Sequence, residues 1–188
     1  EGVPVWGHHL LRLAAVIGRI LELPLLQHAL RTQTILKIGT HTLDDWLTGC
    51  LNAAVFEVQD EKWRFAHDKL REAVLSELTP AQRTDYNRIA AETIEAVYAD
   101  DLEDHSQRLT EHWHYAGDID KETHYALEAG WQLRHMLDSE NAERYFRRTL
   151  QRLPDIPTTQ RADALRGLPV DGDRESLGPG KLVADAAK

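Results

Sequence analysis

The sequence predicts a mainly α chain in which three helices and one β-hairpin are followed by paired helices. Three observations carry that expectation. Apolar residues recur at helical spacing over most of residues 8–153. Between residues 55 and 66 the period changes to two, on either side of Asp60-Glu61. After Thr79 the helical pattern resumes and is broken by Gly117-Asp118 and Asp138-Ser139.

The elements follow in order. Over residues 8–19, Leu10, Leu11, Leu13, Ala14, Val16 and Ile17 supply a broad apolar face, and Gly18 is a stop signal. Residues 20–23 read as a short extended piece. Pro24 suits the first turn of a second helix over 24–31. Thr42 precedes a third helix over 43–54, with Asp44 and Asp45 near its positive end. Residues 55–59 and 62–66 alternate apolar and polar around a tight turn at Asp60-Glu61, the pattern of a hairpin. Three helices followed by a hairpin is the order of elements in a winged helix. Leu70, Val74, Leu75 and Leu78 then place a helix over 67–78. Thr79 is an N-cap and Pro80 a first helical position for a helix reaching about Tyr98.

The acidic stretch from Asp100 to Asp104 reads as a solvated connection, and helices are expected over 105–116, 120–137 and 139–153. Gly130, Ala142, Phe146 and Pro154 stand 12, 4 and 8 residues apart. Small residues so placed let paired helices approach, and a proline ends the second helix, as in a tetratricopeptide (TPR) repeat. Any helical hairpin with an alanine seam has the same pattern. The expected fold class is therefore mainly α, a winged-helix-like domain over 1–78 followed by TPR-like helical hairpins over 79–156. Residues 157–188 are expected to hold a short helix or linker and a flexible tail, since Gly, Pro and Asp crowd 167–188 without periodicity.

Composition narrows the function classes. The net charge is −9, from 22 basic and 31 acidic residues, and neither half of the chain is basic. Attraction to nucleic acid or to an anionic membrane is not expected. The third helix carries Asp44 and Asp45 and no Lys or Arg between Leu43 and Ala54, so in a DNA groove it would set carboxylates against phosphates. Charges interrupt every apolar stretch before membrane-spanning length. The lone Cys50 and the absence of a signal-peptide pattern suit a cytoplasmic protein. The only methionine is Met136, so the chain reads as a piece of a longer polypeptide.

Catalytic and metal readings find little support. Cys50 lies mid-helix in an apolar setting, where a thiol is inert, and no Gly-x-Ser-x-Gly elbow occurs. His112 and His114 point about 200° apart at ~100° per residue and do not share a helix face. Arg144, Arg148 and Arg152 form a row at i, i+4 spacing, with Arg147 beside it. This row is a candidate surface for an acidic partner, against the simpler reading of a solvated face paired with Glu140 and Glu143. His67 and Asp68 are the other candidates. They stand where strand spacing changes to helical spacing, so two rigid elements hold the imidazole, beside the free N–H groups and positive end of a helix. Pattern alone favours a histidine that merely caps the junction or fills space under the hairpin.

Several segments together suggest a family. They are Leu10 to Arg19 (LLRLAAVIGR), Leu43 to Leu47 (LDDWL), Trp63 to Ala73 (WRFAHDKLREA) and Leu78 to Arg83 (LTPAQR). They resemble the winged-helix portion of STAND-class signalling ATPases, which are P-loop switch proteins. Ala66-His67-Asp68 looks like that family's Met-His-Asp motif with alanine in the first place. Glu111 to Asp118 and Ala142 to Phe146 look like the start of the helical-repeat sensor region that often follows.

The resemblance covers residues 8–156 and implies that an upstream ATPase module, acting in cis, binds ATP or ADP. It implies that His67 contacts the β-phosphate of bound ADP and that Asp68 orients the junction. A protein or small-molecule effector would act on the repeats. Nothing in the chain reads Gly-x-x-x-x-Gly-Lys-Ser/Thr, so the piece is expected to hold no nucleotide alone and to be no enzyme, with ATP or ADP belonging to the parent protein. A different class is a free-standing helical scaffold that binds an acidic or amphipathic peptide.

Overall fold

The structure is a computed structural model and describes residues 3–151 and 158–168. It is mainly helical with one small antiparallel sheet. The chain divides into two compact units, Glu1–Asp100 and Asp101–Lys188.

In the first unit, helices α1 (His8–Ile17), α2 (Leu23–Thr32) and α3 (Leu43–Asn52) precede strands β1 (Phe56–Gln59) and β2 (Lys62–Phe65). Helices α4 (Asp68–Ser76) and α5 (Pro80–Val97) follow. Thr42 caps α3 in a reciprocal box. Its hydroxyl accepts the Asp45 N–H at 3.1 Å, and the Asp45 carboxylate accepts the Thr42 N–H at 2.7 Å. These bonds hold the Asp45 carboxyl below its usual range. Thr79 and Gln82 form a second box at the start of α5.

The strands pair Phe56 with Phe65 and Gln59 with Lys62. Asp60 (φ 50°) and Glu61 (φ 60°) both take the left-handed conformation, as a two-residue hairpin with the sheet's own twist requires. The extended residues after α1 add a further rung. Ile20 bridges Arg64, Leu21 N–H donates to the Trp63 carbonyl at 2.8 Å, and Phe65 N–H donates to the Arg19 carbonyl at 3.0 Å.

Phe56 and Phe65 point inward and meet edge to face at 4.9 Å. Phe56 in turn meets Trp46 of α3 at 5.2 Å. Leu10, Leu13, Leu25 and Leu26 are also buried in this unit's core. Gly7 lies against the Trp46 ring, where any side chain would collide with it.

The expected division at 78/79 does not coincide with the compact units. Helix α5 packs on α1 and α2 and belongs to the first unit. It buries Tyr86, Ile89, Ala90, Ala91 and Ile94. Polar ties reinforce the packing. His9 Nδ1 and the Tyr86 hydroxyl lie 2.7 Å apart, and the Tyr98 hydroxyl donates to Glu22 at 2.6 Å. The first compact unit therefore runs on past Leu78 to take in α5.

The second unit opens with a 3-10 turn at Leu102–His105 where a plain connection was expected. Helices α6 (Ser106–Ala116), α7 (Ile119–His135), α8 (Ser139–Gln151) and α9 (Thr158–Gly167) follow. Helix α7 packs against α6 and α8, and α9 packs against α7 and α8. The expected helix end at Pro154 lies outside the described residues, as does the expected tail from residue 169.

Gly117 ends α6 in the left-handed conformation (φ 76°), and Asp118 then caps α7 by accepting the Lys121 N–H at 3.0 Å. The α7–α8 corner repeats this geometry with the wrong residue. Leu137 takes φ 63° although it carries a Cβ and is 88% exposed. A left-handed leucine costs about 1–2 kcal/mol, and burial returns little here. Leu137→Gly should therefore raise stability by about 1 kcal/mol in urea denaturation. A loss of stability would show that the leucine side chain holds the corner.

Candidate functional site

Strand β2 ends at Phe65, which is buried, and α4 begins at Asp68. His67 is the N-cap of α4, with extended backbone (φ −139°, ψ 141°). Strand β2 has ended before His67, and its side chain is exposed although continued strand alternation would set it on the same side as Phe65. Its imidazole makes no hydrogen bond to a described residue, and no side chain caps the first turn of α4. The ring is thus open at the start of a turn in which the Leu70 N–H is already taken by the His67 carbonyl at 3.0 Å.

Asp68 is exposed as well, but it does not cap the helix. Its carboxylate accepts from Arg19 Nη1 at 3.2 Å, with both side chains largely in solvent. The pair links the end of α1 to the start of α4 and fixes a guanidinium next in space to Asp68, the neighbour of His67. Sequence reasoning placed Arg19 only as the end of a matching segment. Its pairing across 49 residues leaves no local signal.

The arginine row is not one surface. Arg148 is partly buried, and its Nε–H donates to Glu122 at 3.0 Å while its Nη1 donates to Glu111. Burial acts to lower the Arg148 pKa, and the bonds to Glu111 and Glu122 outweigh it and raise the pKa above the ordinary arginine value. Glu122 is only 2% exposed and also meets His114 Nδ1 at 3.0 Å. An ionised carboxylate only accepts, so Nδ1 carries the hydrogen in this pairing. Arg144 stays exposed and donates to Asn141 at 3.1 Å. Arg147 pairs with Glu143, as a solvated face would. Arg152 lies outside the described residues. Arg148 is thereby assigned to an internal network, because its long side chain reaches a carboxylate 26 residues away.

No protein-family model, curated protein or solved structure matches this chain. The residues themselves carry the functional argument. Among the described residues no group of three or more His, Cys, Asp or Glu side chains is placed to hold a metal ion. Nor is any helix there long and apolar enough to cross a membrane. Cys50 is fully buried, and burial pushes its thiol up to about 12, so little nucleophilic thiolate forms near neutral pH.

Proposed function

We propose that this chain is the regulatory part of a STAND-type ATPase switch. Its first unit, a winged helix in this reading, senses the nucleotide held by an upstream P-loop module in cis. Its TPR-like helices pass a protein or small-molecule signal to that closure. The observation that carries the reading is the exposure of His67 at the β2–α4 junction without a hydrogen-bond partner among the described residues. Such an imidazole is free to donate to a phosphate brought by another module. The order of helices and hairpin, with the extra rung at Ile20, supports the winged-helix part of the reading.

In the intact parent protein, His67→Ala should speed ADP release about tenfold, the loss of one hydrogen bond to a charged group, and raise basal activity. Release measured by stopped flow with a fluorescent ADP tests this, and an unchanged rate would remove His67 from the nucleotide site. A free-standing peptide-binding scaffold is the second reading. Exposed Tyr115, Met136 and Leu137 on the helical unit favour it. An upstream sequence without a P-loop would decide for the scaffold.

A further inference from the structure

Helix α4 is held differently from its neighbours. It is nine residues long, shorter than the ~12–15 residues at which an isolated helix becomes even marginally stable in water. Its helical state therefore depends on tertiary contact. Yet none of its residues is buried, and Leu70, Val74 and Leu75 are only partly covered. By contrast α1 buries seven residues and α5 buries seven.

Besides the partial cover of Leu70, Val74 and Leu75, α4 is fastened by polar ties at its two ends and on one face. Arg71 Nε–H donates to the Ala15 carbonyl in the last turn of α1 at 2.7 Å. Arg19 pairs with Asp68 just beyond the end of α1. Arg83 of α5 donates to the Leu75 carbonyl at 3.2 Å. Of these, the Arg71 bond is partly buried and reaches a helix C-terminus, where a cation is favoured, whereas the other two are exposed.

We propose that α4 is a detachable segment. It melts from the first unit while α1, α5 and the sheet stay folded, and Arg71 is the latch that sets how often it opens. The inference goes beyond the nucleotide reading and needs no nucleotide. If that reading also holds, opening of α4 releases one of the two elements that hold His67.

Hydrogen exchange of the full chain, read residue by residue under conditions where closing outpaces exchange, tests the proposal. In the wild type, the later amides of α4 should exchange at least about a hundredfold faster than those of α1 over Ala14–Ile17 and of α5 over Ile89–Ile94. Arg71→Met should accelerate α4 by about a further tenfold, as expected for one lost charged hydrogen bond, and leave α5 unchanged. Equal protection of α4, α1 and α5 in the wild type would overturn the proposal without recourse to any variant. So would an Arg71→Met protein in which all three helices accelerate together. His67→Ala in the parent protein reads a different quantity, so failure of one result leaves the other standing.

Discussion

Glu122→Ala should cost the helical unit about 3–5 kcal/mol, the range for breaking a buried ion pair by removing one partner. Glu122 is 2% exposed, and its Oε1 takes hydrogens from both Arg148 and His114. Truncation leaves a guanidinium whose side chain is only 25% exposed with Glu111 as its remaining carboxylate in the network. That charge stays partly desolvated with one fewer partner, which is the source of the cost. The net worth of the pair is a separate quantity, because desolvating both ions opposes their attraction. Glu122→Leu combined with Arg148→Met removes both charges and keeps volume, so it should recover most of the loss. Urea denaturation of the three proteins, followed by far-UV circular dichroism, measures both effects. A loss under about 1 kcal/mol for Glu122→Ala would mean that the network is no more than a surface pair.

That network also marks the limit of what the sequence discloses. Helices α1, α2, α3 and α7 are legible because apolar spacing is a local property, and the residues that stop and start them are local too. The hairpin is legible because Asp60-Glu61 separates two runs of period two. Arg148 is not, because the i, i+4 row marks one helix face and says nothing of what faces it. The same limit displaced the domain boundary. Nothing between Thr79 and Tyr98 states that α5 will choose α1 and α2 as partners, since its small buried residues Ala90 and Ala91 suit any close helix contact. The rung at Ile20 was legible only as a short extended piece, its partner Arg64 being far along the chain. His67 was legible as a junction residue, but its exposure was not, because strand alternation would set it on the same side as the buried Phe65 two positions before it.

Phe146→Ala should destabilise the same unit by about 3–5 kcal/mol, the cost of emptying a buried aromatic site. Phe146 is fully buried among Leu127, Leu133, Ala142, Leu150 and Ala164, and it meets Trp131 edge to face at 5.3 Å. Its sharper test lies across the seam. A Cβ on Gly130 would sit 2.6 Å from Phe146 Cε1, so the glycine in mid-α7 is what lets the ring in. Alone, Gly130→Ala should cost about 1–3 kcal/mol, because a boxed aromatic ring cannot move aside. In the Phe146→Ala background the obstacle is gone, and the same change should stabilise by up to about 1 kcal/mol through helix propensity. The sign of the Gly130 effect thus depends on residue 146, which a double-mutant cycle in urea reads directly. Additive effects would mean that the two residues do not touch, and that the spacing of Gly130, Ala142 and Phe146 is a coincidence of composition.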